Sequence, residues 1–191
     1  GDNAVRYGLG VTYNGTDGVM KNSGNDVIGM NFELNYRKGK FRFFNKMSFD
    51  YTKKENPTVN FSEYAKANPY FEKYDENGNV TRYLEEYYTV NRQHYTVENP
   101  LYNASLNSYD RQKGMSFINK FNAEYRPVEE VMVRGRISLE KKSEKAEYFL
   151  SPEHTSFDGV AQTQRGSYKS TDYDTWIYDG ELTVTYGKLF N

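Results

Sequence analysis

The fold of this chain is decided by the stretch Ile28-Gly29-Met30-Asn31-Phe32-Glu33-Leu34-Asn35-Tyr36-Arg37, in which apolar and polar positions alternate. Successive side chains of a β-strand point to opposite faces, so a period of two predicts a strand with one apolar and one polar face. A tight turn, Lys38-Gly39-Lys40, follows, and a second alternating run begins at Phe41. The two runs together predict an antiparallel β-hairpin.

The same period recurs elsewhere in the chain, in segments of about ten residues, which is the length that a tilted transmembrane strand needs. Six strands are predicted in all, at residues 4–13, 27–37, 40–53, 114–126, 131–142 and 174–187. No run approaches the roughly 18 consecutive apolar residues that a spanning helix requires. The fold class predicted is therefore all-β, with strands as the elements that contact any membrane.

Composition excludes several other classes of protein. Only 37% of the residues are hydrophobic, yet 17% are aromatic, and such aromatic enrichment argues against disorder. The formal net charge of -1 provides no broad basic field, so nucleic acid is not a predicted partner. The absence of cysteine excludes a disulfide scaffold and a thiolate metal site.

The connections between the predicted strands alternate strictly between short and long. Turns of three or four residues alternate with connections of about a dozen, some sixty and some thirty residues, and compact domains rarely contain such lengths. Outer-membrane β-barrels have this topology, with tight periplasmic turns and long extracellular loops. The sequence therefore predicts that the first, third and fifth strands run outward and that the others return.

The two faces of the strands are assigned to two solvents. The apolar rows face lipid and the polar rows face a wet lumen, and Tyr36, Tyr125 and Tyr186 fall near the periplasmic boundary. Six strands cannot close a barrel, because the smallest common ones have about eight. An open edge is untenable in hydrocarbon, so the chain is predicted to be a portion of a larger barrel.

Five motifs occur in a fixed order in the predicted loops. They lie at residues 15–21, at residues 61–71 together with 74–79, and at residues 99–104, 149–157 and 165–168. Their residues include Phe61-Ser62-Glu63-Tyr64, Asn99-Pro100-Leu101-Tyr102-Asn103-Ala104 and Phe149-Leu150-Ser151-Pro152. In this order the motifs resemble SusC/RagA-family TonB-linked (TonB-dependent) outer-membrane transporters, and the resemblance spans essentially the whole chain.

The resemblance implies a plugged barrel of about 22 strands in a Gram-negative, Bacteroidetes-like outer membrane. It further implies energy coupling through TonB and a SusD-like surface lipoprotein that captures an oligosaccharide or peptide. Residues 1–191 are then one part of the barrel domain, with long extracellular loops at about 54–112 and 143–173. The plug and the closing C-terminal strand are not expected among these residues, and no cofactor is predicted.

The loop aromatics are the candidates for solute contact, because flat rings stack on sugars and on peptide side chains. The candidates in the substrate-binding prediction are Tyr70, Tyr74, Tyr83, Tyr87 and Tyr88, with Tyr64 and Phe71 as further members of the group. The alternative is that these rings pack the long loop onto itself, a common role in compact surface loops, and for Tyr64 and Tyr70 packing is favoured.

No enzymatic motif is recognised, and no catalytic activity is predicted. His94 and His154 lie in predicted loops outside any zinc-ligand spacing. The stretch Asp75-Glu76-Asn77-Gly78-Asn79 resembles part of a calcium loop, but Lys73 and Leu84 occupy the first and last ligand positions, so an Asn-Gly turn is preferred.

Two alternatives stay open at the level of sequence. A soluble glycan-binding β-sandwich could use the same alternating strands and aromatic loops, and it would fold without detergent. A non-transport outer-membrane barrel that serves adhesion would have the same wall but no plug. The presence of an encoded plug would distinguish a transporter from such an adhesin.

Overall fold

A computed structural model describes residues 4–188, and within them the chain forms two antiparallel sheets, two short helices and two 3₁₀ turns. The all-β, antiparallel prediction is confirmed. The elements are β1 (Val5–Asp17), β2 (Gly24–Lys38), β3 (Phe41–Asn56), α1 (Phe61–Lys66), β4 (Tyr83–Tyr88), β5 (His94–Glu98), α2 (Pro100–Ser105), β6 (Tyr109–Val128), β7 (Val131–Leu150) and β8 (Ser167–Tyr186), with 3₁₀ turns at Thr155–Phe157 and Gln162–Gln164.

The main sheet is a six-stranded meander in the order β1-β2-β3-β6-β7-β8, and each neighbouring pair is antiparallel. In the part of the chain that is described, β1 and β8 each pair on one side only, so both are edge strands. The two tight turns, between β2 and β3 and between β6 and β7, lie at one end of the strands. The other three connections all lie at the opposite end.

The pairing register keeps the apolar rows together across the sheet. Phe32 of β2 lies opposite Leu9 of β1 and Met47 of β3. Tyr125 of β6 lies opposite Phe41 of β3 and Val133 of β7. A slip of one residue would turn every such side chain to the other face, so the alternating sequence specifies this register.

The strands extend further toward the long connections than the alternating pattern predicts. β6 begins at Tyr109 instead of residue 114, β7 continues to Leu150 instead of residue 142, and β8 begins at Ser167 instead of residue 174. Polar residues occupy both faces there, which hides the period of two, but backbone pairing does not require apolar side chains. The loops are correspondingly shorter, at residues 57–108 and 151–166, and the first connection is only 18–23.

Asn45 and Asn119, which break the alternating pattern, are neighbours on the apolar face. Asn45 pairs with Phe121 and Asn119 pairs with Met47, so the two amides lie diagonally across adjacent strands. The Asn45 Nδ2 atom donates a hydrogen bond of 3.2 Å to Asn119 Oδ1. Each amide therefore provides one hydrogen-bond partner for the other. This bond lowers the free-energy cost of placing polar groups among apolar side chains.

The apolar face of the main sheet is not covered by any other described part of the chain: its side chains are exposed on the edge strands and half-buried at central positions such as Phe32 and Phe121. Leu9 and Leu182 retain 75% and 76% of their accessible surface, and within residues 4–188 no second sheet packs against them. The buried hydrophobic side chains in the described part of the chain, Val59, Leu84 and Ala104, all lie in the 57–108 loop. None of the helices in residues 4–188 is long and apolar enough to span a membrane.

The opposite face carries ion pairs between neighbouring strands. Lys46 lies 2.7 Å from Glu33, and Arg136 lies 2.9 Å from Glu181. Glu124 forms an ion pair with Arg134 at 3.3 Å and ion pairs with two further arginines. The Lys46–Glu33 and Arg136–Glu181 pairs are exposed and contribute only about 0–1 kcal/mol each, so their main consequence is a face that water wets.

Candidate solute-contact surface on the long loops

Residues 57–108 and 151–166 fold together at one end of the strands of the main sheet, and we call this unit the loop cap. Its interior is mostly polar, with buried residues Asn99, Asn103, Ser108, Ser151 and Thr155. All buried side-chain nitrogen and oxygen atoms in the described residues have a hydrogen-bond partner. Hydrogen bonds therefore take the place that a hydrophobic core has in a larger domain.

Asn99 joins the start of α2 to an earlier part of the same loop. Its side-chain oxygen accepts the Leu101 N–H at 3.1 Å, which caps the helix. Its Nδ2 atom donates to the backbone oxygens of Lys73 at 3.1 Å and Thr81 at 2.7 Å. Since Asn99 has no accessible surface, these contacts fix the path of residues 73–81 against α2.

Asn103 and Ser108 join the two long loops to each other. The Asn103 amide donates to Thr155 Oγ1 at 2.7 Å and accepts the Thr155 N–H at 3.2 Å. Ser108 Oγ accepts the Ser151 N–H at 3.0 Å. Asn99 and Asn103 belong to one of the sequence motifs, and Ser151 and Thr155 belong to another. The motifs therefore supply four of the five buried polar residues of the loop cap, and Ser108 is the exception.

A charged cluster forms a second bridge between the loops. The Arg82 guanidinium makes an ion pair with Asp158, and the Tyr83 hydroxyl donates to the other Asp158 oxygen at 2.5 Å. Arg82 also donates to the Tyr102 hydroxyl at 3.2 Å and lies over the Tyr102 ring. The hydroxyl of Tyr83, a predicted solute contact, is therefore used within the protein.

The pKa values in this cluster follow from burial and hydrogen bonding. Burial alone disfavours the charged form of Asp158, but the hydrogen bonds from Tyr83 and Arg82 outweigh it and lower the pKa of the carboxyl. Burial and the bond to Asp158 raise the pKa of the Tyr83 hydroxyl. Because the folded pKa of Asp158 lies below that of a free Asp, about 4, the bridge stabilises the loop cap above that pH. Its contribution is lost as the pH falls through the lowered pKa.

We expect Asp158→Asn to loosen the contact between the two loops. Loss of a partly screened charged bridge should weaken local stability by about 1 kcal/mol, or about fivefold in the local opening equilibrium. Hydrogen exchange of the amides at residues 82–84 and 155–160, measured at pH 7, reports this opening. Glu153→Gln removes an exposed carboxylate from the same loop and is the matched control. Equal exchange in the two variants would show that Asp158 does not bridge the loops.

β4 and β5 form a hairpin within the loop cap. A five-residue turn connects them, in which the Thr89 N–H donates to Gln93 O at 2.9 Å and the Arg92 N–H donates to Thr89 O at 2.8 Å. Arg92 adopts a φ of 57°, the left-handed conformation that closes such turns. The strands pair in register from Glu85 to Tyr88, with an irregularity next to Tyr83.

Aromatic rings are stacked on both faces of this hairpin. The Tyr87 and Tyr95 rings are nearly parallel, with centroids 5.5 Å apart and an interplanar angle of 12°. On the other face Tyr88 stacks on His94 at 4.7 Å, and His94 Nε2 lies 2.7 Å from a Glu86 oxygen. Tyr88 remains 69% exposed. The hairpin thus presents flat aromatic surface to solvent.

The remaining candidates lie outside the hairpin. Tyr70 is 92% exposed in the turn after α1, and Tyr74 forms an isolated bridge with Val80. The predicted turn at Asp75 is closed by its own side chain, which accepts the Asn77 and Asn79 N–H groups at 2.9 and 2.8 Å. The bonds from Asn79 lower the pKa of Asp75. The structure therefore places Tyr87 and Tyr88 on one hairpin, on its opposite faces, whereas Tyr70 and Tyr74 lie outside it.

Sequence reasoning missed Tyr95 and His94 as members of the aromatic surface. The signal was the short run His94-Tyr95-Thr96-Val97-Glu98, which alternates weakly and follows a tyrosine-rich segment by five residues. His154, in contrast, caps a 3₁₀ turn, where its Nδ1 atom accepts the Ser156 N–H at 3.1 Å. Burial lowers the pKa of His154, which favours the neutral ring required for this contact.

Residues 4–188 contain no group of three or more His, Asp or Glu side chains that could hold a metal ion. No protein-family model matches the sequence, and no curated protein matches it. The loop cap is thus a hydrogen-bonded unit that presents two stacked ring pairs, Tyr87 with Tyr95 and Tyr88 with His94.

Proposed function

We propose that this chain is part of the wall and surface loops of an outer-membrane β-barrel transporter that imports an oligosaccharide or peptide. The observation that carries the proposal is the exposed apolar face, which the register aligns across all six strands of the main sheet. A soluble protein rarely exposes so large a contiguous apolar surface. Lipid is the solvent for which such a face is suited.

The height of the apolar face agrees with the thickness of a membrane. The apolar row of β3 runs from Phe41 to Tyr51, and the facing row of β6 runs from Tyr125 to Met115. Ten residue steps cover about 34 Å along a strand, or about 24 Å when the strand tilts by about 45°. Outer-membrane barrels have an outward apolar band of about 25 Å.

Aromatic side chains lie at both ends of this band. Near the tight turns, the Tyr36 and Phe43 rings have centroids 6.0 Å apart, and Phe41 and Tyr125 are 6.4 Å apart. At the other end Trp176 is stacked on Tyr178. Amphipathic rings of this kind suit the boundary between acyl chains and headgroups.

The two unpaired edges support a larger assembly. In hydrocarbon the free N–H and C=O groups along β1 and β8 would have no water to satisfy them. Further strands on both sides would complete the wall, in a barrel that the motif resemblance puts at about 22 strands. The position of the tight turns then orients them to the periplasm and the loop cap to the cell surface.

The loop cap would meet the solute before it enters the barrel. Stacked and exposed rings at Tyr87, Tyr88 and Tyr95 offer the flat surface that sugars and aromatic peptide side chains contact. The ordered loop motifs support a SusD-like surface lipoprotein and TonB as the partners of the complete transporter. The exposed apolar face also argues against a soluble glycan-binding sandwich, in which a second sheet would cover that face.

Nutrient growth tests this function. We expect deletion of the gene to abolish growth on one oligosaccharide or peptide source within a panel that provides each as the single nutrient. Growth that is unchanged on the whole panel would remove uptake as the function and favour a barrel that serves adhesion.

A point substitution tests the contribution of the aromatic hairpin. Tyr88→Ala should reduce uptake of the growth-supporting solute about threefold to tenfold, because it removes a stacking surface. Phe61→Ala is the matched control, since Phe61 is also a loop aromatic and is equally exposed, at 69%. An equal loss of uptake in both variants would show that the hairpin has no special role.

A further inference from the structure

Three lysines lie side by side on adjacent strands of the main sheet. Lys53 of β3 is directly opposite Lys113 of β6, and Lys113 is directly opposite Lys145 of β7. We call these residues the lysine row. All three side chains are exposed, and the row ends at Asp26 on one side and Asp172 on the other.

Lys53 and Lys113 lie on the apolar face, just beyond its rim; Lys145 shares that face but lies further out, because the apolar row of β7 ends at Leu139. Lys53 follows Tyr51 by two positions, and Lys113 precedes Met115 by two, so both point to the same side as these apolar residues. The separation along the strand is about 7 Å. A membrane that covers the apolar rows would therefore bring its headgroups to Lys53 and Lys113.

The charges in the row are not balanced at its centre. Lys53 lies 2.9 Å from Glu55, and Lys145 lies 3.4 Å from Glu147, which Arg111 also contacts at 2.9 Å. Within residues 4–188 Lys113 has no ion-pair partner, although a like charge flanks it on each side. Like charges directly opposite each other destabilise a sheet, unless an anion lies between them.

A neighbouring cluster marks the boundary on β7, where Lys141 follows the last apolar residue, Leu139, by two positions. Lys141 projects from the apolar face, where its ammonium lies 2.6 Å from Asp174 and 4.8 Å from the centre of the Trp176 ring. Lys141 is largely buried by these contacts, with 18% of its side chain exposed. Tryptophan and lysine meet in this way where acyl chains give way to headgroups.

We propose that the lysine row binds the phosphate-bearing headgroup of a lipid whose acyl chains lie along the apolar rows; the proposal rests on the membrane-wall function above. Lysine binds phosphate as a point charge. Strand neighbours are about 5 Å apart, so two adjacent ammonium groups can contact one phosphate. A bound phosphate would neutralise Lys113 and relieve the repulsion within the row.

The test compares two lipids that differ only in the phosphate. Native mass spectrometry of the complete, detergent-purified protein measures retention of dioleoyl phosphatidic acid and of dioleoylglycerol. We expect the wild type to prefer phosphatidic acid and Lys113→Gln to lose about fivefold of that preference, with a further fivefold loss when Lys53→Gln is added. Retention of dioleoylglycerol should not change, which verifies the fold of the variants.

Lys120→Gln is the matched control, because Lys120 is also on β6 and also faces a lysine, Lys46, but lies on the polar face. It should retain the wild-type preference. An equal loss in Lys120→Gln, or equal retention of both lipids by the wild type, would overturn the lysine row and leave the membrane-wall function intact. Retention of neither lipid would overturn both.

Discussion

From the proposed outer-membrane wall we expect Phe32→Arg to abolish assembly of the protein into that membrane and Asn31→Arg to be tolerated. Phe32 lies in the middle of the apolar face, between Leu9 and Met47. An arginine at mid-depth on a lipid-facing surface costs about 2–4 kcal/mol. Asn31, one position away, faces the polar side.

The amount of folded protein in outer-membrane fractions measures this difference, for example as the fraction that resists unfolding in unheated detergent gels. Asn31 lies opposite Gly10 and Ser48, both small, so a long side chain can extend into water from that position. If both variants assemble equally well, or both fail equally, the assignment of the two faces is wrong.

Asn103→Ala is expected to detach the two long loops from each other without loss of the main sheet. The substitution leaves the buried N–H and hydroxyl of Thr155 without their present partner. Each buried polar group that loses its partner costs about 1–3 kcal/mol, which is large for a unit with so few buried apolar side chains.

Limited proteolysis at neutral pH detects this opening as new cleavage within residues 151–166. Asn107→Ala is the control, because Asn107 is exposed in the same loop. Cleavage of the two variants at the same rate would mean that the Asn103 contact does not hold the loop cap. Cleavage within β6 or β7 would instead indicate that the sheet depends on it.

The alternating pattern predicted the sheet well because it is a local property. From Ile28 to Arg37, the apolar or polar character of each side chain indicates which face it lies on. The strand pairing then follows, because the apolar rows must match. The pattern failed where both faces are polar, as at Lys54 and Glu55, so the strands were predicted too short. The exceptions at Asn45 and Asn119 could not be interpreted from sequence, because their bond joins residues 74 positions apart.

The candidate site was predicted less completely. Aromatic content alone pointed to Tyr83, Tyr87 and Tyr88, but it gave no means to separate a ring that stacks in solvent from one whose hydroxyl is already used. Tyr83 is distinguished by Asp158, which lies 75 positions later in the chain. Tyr95 and His94 belong to the aromatic surface of the hairpin only because β5 pairs with β4.

The sequence by itself determined which residues share a face, the antiparallel hairpins and the end of the sheet at which the long loops lie. The tertiary structure alone decided the length of the strands, the joining of two loops through Asn103 and Thr155, and the alignment of Lys53, Lys113 and Lys145. The physical reason is the sequence separation of the residues involved: a period of two depends only on residues within one strand. A hydrogen bond between loops, or a row across three strands, exists only after distant segments have come together.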